Sequence, residues 1–194
     1  MHDRAAFLPA GLMTMETGLA QEFEARLVES STLAFRVAYA VLRHREDAED
    51  VAQDAFAKAY RNFRHLRDRD RFRAWLVRVT WRLALDRQRS DRRRIARDSS
   101  PDGLHYKNDA ATAVQAFRPA AEADLVARER AAQLWAAIDA LPEKLRVVVV
   151  LSGIEEYDVA EVAALLDLPE GTVKSRLFLA RQRLKEQLRC TMTR

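Results

Sequence analysis

Residues 64–97, RHLRDRDRFRAWLVRVTWRLALDRQRSDRRRIAR, set thirteen Arg against four Asp and thread them through Phe72, Trp75, Leu76, Val79, Trp81 and Leu83. Phe72, Leu76, Val79 and Leu83 recur at helical spacing and give one apolar stripe, which leaves Arg73, Arg78, Arg82, Arg87 and Arg89 outside it, for water or phosphate. The stretch is therefore expected to fold as a helix with a cationic face. A planar guanidinium offers phosphate two donors at once, and Trp, Phe and His side chains give unstacked bases a surface to lie on. Single-stranded or melted nucleic acid is the ligand class this chemistry fits, with a merely solvated Arg-rich helix as the alternative.

The sign of charge is segregated along the chain. Residues 64–97 carry a net +9 and residues 171–194 seven cations against one acid, or +6, whereas the whole chain is only +4, so the remainder sums to −11. Two basic stretches separated by acidic ones suit a polyanion on one side and a basic partner on another. Five Gly and five Pro in 194 residues are few breakers for such a length, so long helices are expected. An all-α chain of this size can bury a core as one domain or two. No apolar run approaches the roughly 18 residues a bilayer demands, and residues 1–18 lack a signal-peptide pattern, so neither membrane insertion nor export is expected and the cytoplasm is the expected compartment. The single cysteine, Cys190, excludes an internal disulfide and is read as an incidental thiol.

Taken in order, residues 1–18 contain Pro9, Gly11 and Gly18 and no periodicity, which predicts a flexible leader. Leu19 to Leu42 predicts two short helices, broken and capped at Ser30, Ser31 and Thr32. From Glu46 to Phe63 one face takes Ala48, Val51, Ala52, Ala55, Phe56, Ala59, Tyr60 and Phe63 without a miss. Glu46 and Asp47 suit the positive end of that helix dipole. Asp50, Gln53 and Asp54 lie further in, three and four residues apart, and make an acidic and amide patch fit for a basic partner helix.

DAEDVAQDAF followed by RFRAWLVRVTWRLALDRQR resembles region two of the extracytoplasmic-function sigma factors, the smallest class of bacterial promoter-recognition subunits. The resemblance implies that Asp50, Gln53 and Asp54, with Phe56 beside them, dock on the beta-prime coiled coil of core RNA polymerase. It also implies that the loop from His65 to Phe72 captures a base flipped from the minus-ten element. His65, Arg67, Arg71, Phe72, Arg73, Trp75, Arg78 and Arg82 are then the minus-ten residues. Trp81 and Arg82 stand where the family pattern usually has Arg and then Asn.

Residues 98–123 carry Pro101, Gly103 and Pro119 and lose the helical pattern, so this stretch of about 26 residues reads as a tether. It would separate a domain at 19–97 from a second at 124–194. In the second, a helix led by Leu125, Arg128, Ala132, Trp135 and Ile138 stops at Leu141-Pro142. Glu143 to Ser152 predicts another, with Gly153 as its stop, and ranks above a strand despite the run of four Val from Val147 to Val150. Asp158 and Glu161 have capping-box spacing at the start of a short helix. Asp167-Leu168-Pro169 then breaks the chain before a longer basic helix whose apolar stripe is Val173, Leu177, Ala180, Leu184 and Leu188. Short helix, tight turn and longer basic helix make a helix-turn-helix, whose second helix enters the major groove.

LPEKLRVVVVL and YDVAEVAALLDLPEGTVKSRLFLARQRL resemble region four of the same sigma family, which reads the minus-thirty-five element. By that resemblance Thr172, Lys174, Ser175, Arg176, Phe178 and Arg181 are the base and phosphate contacts, and the beta flap is a second polymerase contact. Leu179 stands where relatives commonly carry Arg, which would shift readout from a guanine edge toward a thymine methyl. Promoter DNA and an anti-sigma factor are the other partners the resemblance implies.

No phosphate-cradling glycine loop, metal-spaced Cys or His, or converging Ser, His and Asp set occurs, and His2, His44, His65 and His105 are scattered, so no enzyme, metal or cofactor is expected. Two other functions remain open on the residues. A polymerase-independent helix-turn-helix regulator would bind its operator unaided. A sigma mimic that titrates an anti-sigma factor would not need a strongly basic recognition helix.

Overall fold

A computed structural model describes the backbone of residues 10–98 and 125–192. The described residues are helical throughout, in the order α1 (Ala10–Leu42), α2 (Arg45–Phe63), α3 (Phe72–Asp98), α4 (Leu125–Asp139), α5 (Glu143–Val149), α6 (Val159–Leu166) and α7 (Glu170–Met192). A π-helical turn, Val150–Ile154, extends α5. The expected tether, apart from Asp98 at the end of α3, and the first nine residues of the expected leader lie outside the described residues.

α1 corrects two expectations. It is one helix of 33 residues that already begins at Ala10, inside the stretch expected as leader, and it does not break at Ser30. Ser30 is buried, and the Ser31 hydroxyl donates back to the Val28 carbonyl at 3.0 Å. Hydroxyl residues can satisfy themselves on the preceding turn and so stay inside a helix that tertiary packing supports. α1 needs that support and obtains it from both of its long neighbours, α2 and α3.

Between α1, α2 and α3 lies an apolar cluster of Phe23, Ala34, Ala52, Ala55, Ala59, Phe63, Phe72 and Leu76. The alanines let α2 come close. The rings of Phe23, Phe63 and Phe72 meet edge to face, with centroids 5.2 to 6.0 Å apart, an arrangement that aligns ring edges with ring faces. Tyr60, expected on this face, projects into solvent instead and touches Phe23 by its edge. At the start of α2, His44 acts as the cap: its Nδ1 accepts from the Asp47 amide at 3.4 Å.

α3 has a second buried side that the single stripe expected from the sequence does not contain. Val77 and Ala84 join a larger cluster running from Leu33, Val37 and Tyr39 of α1 to Trp135, Ile138, Leu141, Val148, Val162 and Val173 of the second half. The two halves thus share one apolar core. The four valines are helical and buried, as expected for a buried helix. Gly153 is not the stop, because the π turn carries the chain through it to a corner at Glu156, whose φ is +61°.

α6 starts on the expected capping box: the Glu161 amide donates to Asp158 at 2.7 Å, and the Asp158 amide donates to the Glu161 carboxylate at 2.9 Å. It ends on Asp167 in the left-handed region, φ +56°, whose amide still reaches the Ala163 carbonyl. A short polar side chain tolerates that conformation, and the reversal aims α7 across α6.

Candidate nucleic-acid and polymerase interfaces

Asp50, Gln53 and Asp54 are exposed together on α2, on the side opposite its alanine-rich packing face. Phe56 is half-buried and packs on the α1–α3 cluster, so it braces this patch more than it extends it. Asp47, a turn earlier, is committed to the fold: it pairs with Arg87 of α3, which also lies 3.5 Å from Asp91. Partial burial would lower the Arg87 guanidinium, but the carboxylates of Asp47, Asp91 and Asp50 outweigh it and raise its pKa.

The loop between α2 and α3 is braced by α1. Arg26 Nη1 donates to the Arg69 carbonyl at 2.6 Å, and Arg69 pairs with Glu22 while stacking over the Phe63 ring at 5.4 Å. Asp68 accepts from the Asp70 amide at 3.1 Å and pairs with Arg71 at 3.0 Å. His65, Arg67 and Arg71 stand outward from this fixed turn.

On α3 the expected minus-ten residues divide. Phe72 is 2% exposed at the centre of the aromatic cluster. This corrects its expected role as a base-stacking residue, because a ring enclosed by Phe23 and Phe63 cannot meet a base while the helices stay packed. Trp75 is half-buried against the same cluster. Arg82 is exposed and has no ion pair among the described residues, and Arg78, Trp81, Arg82 and Arg89 line an open cleft of about 610 Å³ facing α6. Arg73 and Arg78 are engaged: Arg73 with Glu155 at 2.7 Å, and Arg78 with the Ala164 carbonyl at 3.2 Å. Nothing in the sequence separated the engaged arginines from the open one.

The second basic surface is α7. Val173, Leu177 and Ala180 are buried, which turns Lys174, Ser175, Phe178, Leu179 and Arg181 outward on the opposite side. Phe178 and Leu179 are 60% and 49% exposed, large apolar side chains left in water beside cations. The Ser175 hydroxyl donates to the Gly171 carbonyl at 2.8 Å, and Lys174 leans on Glu170 at 3.4 Å, an exposed pair weak enough to exchange for phosphate. Thr172 and Arg176 are half-buried at the turn side of the helix. Apolar and basic groups alternating on the first turns of an exposed helix can read base edges and hold phosphate.

Sequence comparison matches both halves. Residues 27–94 match Sigma-70 region 2, and residues 131–184 match Sigma-70, region 4. The chain is 32% identical over 159 residues to the ECF RNA polymerase sigma factor SigW of Bacillus subtilis, covering 80% of this chain and 82% of that protein. It is 30% identical over 142 residues to the ECF RNA polymerase sigma-E factor of Escherichia coli, covering 73% and 74% respectively.

The fold is similar to the sigma factor RpoE of Bartonella quintana, solved in complex with the anti-sigma factor NepR, with a TM-score of 0.68, 25% identity, and 87% of this chain and 98% of that one covered. It is also similar to CnrH, solved with the cytosolic domain of CnrY, with a TM-score of 0.54, 25% identity and coverage of 88% and 90%. The chain belongs to the extracytoplasmic-function RNA polymerase sigma factors. These proteins regulate transcription by directing promoter-specific initiation and are not enzymes. No helix among the described residues is long and apolar enough to cross a membrane.

Proposed function

We propose that this sigma factor works through two units, at residues 19–97 and 124–194, acting on one promoter in the cytoplasm. The first docks on the beta-prime coiled coil of core RNA polymerase through Asp50, Gln53 and Asp54, and holds the melted minus-ten strand with His65, Arg67, Arg71, Arg73, Arg78 and Arg82 and the edge of Trp75. The second meets the beta flap and reads the minus-thirty-five duplex with Thr172, Lys174, Ser175, Arg176, Phe178 and Arg181. An anti-sigma factor is the partner that restrains it, by analogy with the complexes in which its structural relatives were solved.

The observation that carries this reading is the simultaneous exposure, on one chain, of an acidic α2 face and of a basic recognition helix whose apolar stripe is fully used by the core. Phosphate contacts spread over both units make binding steeply dependent on salt. The test is pull-down of core RNA polymerase by the full chain and by Asp50→Lys. Retention by the first and loss by the second, with helicity unchanged, is the expected result. Equal retention by both removes α2 as the dock.

A further inference from the structure

The proposed reading requires α3 to hold a melted strand while α7 sits about two helical turns upstream, which on B-DNA is roughly 70 Å. In the structure the two halves touch: Arg78 of α3 is 3.2 Å from the Ala164 carbonyl of α6, Gln88 Nε2 donates to Glu143 at 2.7 Å, and Arg92 reaches Glu143 at 3.8 Å. One arrangement cannot serve both tasks. The halves must part, and what joins them decides when.

Glu155 sits at the centre of the join. It follows the π turn, is 6% exposed, and spends one carboxylate oxygen on Arg36 of α1 and the other on Arg73 of α3, each at 2.7 Å. Its carbonyl also accepts from Arg73 at 3.4 Å, and the Arg73 guanidinium lies 5.5 Å from the Tyr157 ring centroid. A carboxylate, a carbonyl and an aromatic face are three kinds of group that a phosphate, a base edge and a stacked base would offer the same guanidinium.

Resting on the sigma-factor reading above, we propose that Glu155 stands in for DNA phosphate at Arg73 and latches the second half over the strand-binding face of α3 in the free chain. The α2 patch and the reading face of α7 stay exposed in this closed form, so polymerase and duplex can engage first and the strand-binding face is released second. A buried ion pair suits such a latch. Its net worth is small when both partners rehydrate on opening, yet loss of one partner alone is costly, so the closed state is specific without being permanent. Phosphate offered to Arg73 competes for the same donors as the Glu155 carboxylate.

The latch is tested without polymerase on the full chain. Dyes at Lys58→Cys and Glu186→Cys, in a Cys190→Ser background, report the distance between the halves, and a short fluorescein-labelled single-stranded DNA of mixed sequence reports strand binding. A latch that leaves about a tenth of the molecules open hides strand affinity by the same factor, so Glu155→Gln should widen the dye distance and tighten binding about tenfold. The slope of log affinity against log salt should steepen by about 0.7 for each arginine released to phosphate, and Arg73→Gln added to Glu155→Gln should reverse that gain.

An unchanged distance, or a widened distance without tighter binding, overturns the proposal. If Glu155→Gln loses helicity, Arg36→Gln breaks the same clasp from α1 and must give the same widening and tightening, and its failure to do so overturns the proposal equally. The sigma reading fails on another result, the absence of promoter-specific transcripts when wild-type protein is added to core polymerase.

Discussion

Arg146 Nη1 donates to the Ala40 carbonyl at 2.8 Å, so a side chain of α5 closes the C-terminal turn of a helix that lies 106 residues earlier. Its Nη2 donates to the Leu141 carbonyl at 2.7 Å, closing the corner after α4 as well. Helix ends leave carbonyls without partners, and one buried guanidinium supplies donors to two such ends where the halves meet. Burial, and then the neighbouring Arg43, lower the Arg146 pKa to about 10 against the opposing pull of Asp139, Glu143 and Tyr39.

Arg146→Met should therefore cost about 2 kcal/mol in urea unfolding, because both carbonyls lose this donor while the desolvation penalty of the charge is relieved. The folded-state pKa of about 10 lies below the model value of 12.5, so the folded state binds fewer protons than the unfolded chain only between these two values. The relief from deprotonation is present above the unfolded value and lost as pH falls through the folded one. At neutral pH the group is protonated in both states. The difference between wild type and Arg146→Met should stay flat across the neutral range, and a slope there would contradict the assignment.

Phe72→Ala should destabilise the first half by about 3–5 kcal/mol, the usual cost of removing an enclosed ring. Thermal melting separates this from a direct role in DNA binding. Loss of strand affinity at a temperature where the variant remains fully folded would restore Phe72 to the DNA-binding set.

Asp158→Ala removes one half of the capping box and should lower stability by about 1 kcal/mol, read by thermal unfolding. Asn at the same position keeps an acceptor for the Glu161 amide and should recover most of the loss. No recovery would mean that charge at the helix start matters more than the cap.

On the recognition helix, two substitutions should act differently. Arg181→Ala should weaken duplex binding about equally on all sequences and reduce the salt slope by about 1, as a phosphate contact does. Leu179→Arg should change which base is preferred at one position of the upstream element, because it adds a guanidinium able to bind guanine. Binding measured on a randomised upstream element distinguishes the two, and a uniform effect from Leu179→Arg would remove it from the reading face.

What could be read from the sequence was local. The α2 packing face, the Asp158 cap and the α7 stripe follow from residues within one or two turns of each other, and the structure keeps them, with Tyr60 of α2 the one departure. α1 was misread because Ser30, Ser31 and Thr32 resemble a break when their neighbours in space are unknown. The second buried side of α3 escaped because Thr80 and Gln88 interrupt it with polar atoms. Thr80 satisfies itself on the Leu76 carbonyl at 2.9 Å, and Gln88 finds Glu143 55 residues away. The partners of Arg73 and Arg36 were beyond reach for the same reason, since Glu155 lies 82 and 119 residues from them.

The most direct test of the central claim is run-off transcription on a fragmented genomic library, comparing core RNA polymerase alone with core plus this protein and sequencing the transcript starts. The account predicts new starts that share two upstream motifs at fixed spacing, and their loss when Asp50→Lys replaces the wild type. A folded wild-type protein that adds no starts, or that adds them equally with Asp50→Lys, would contradict it.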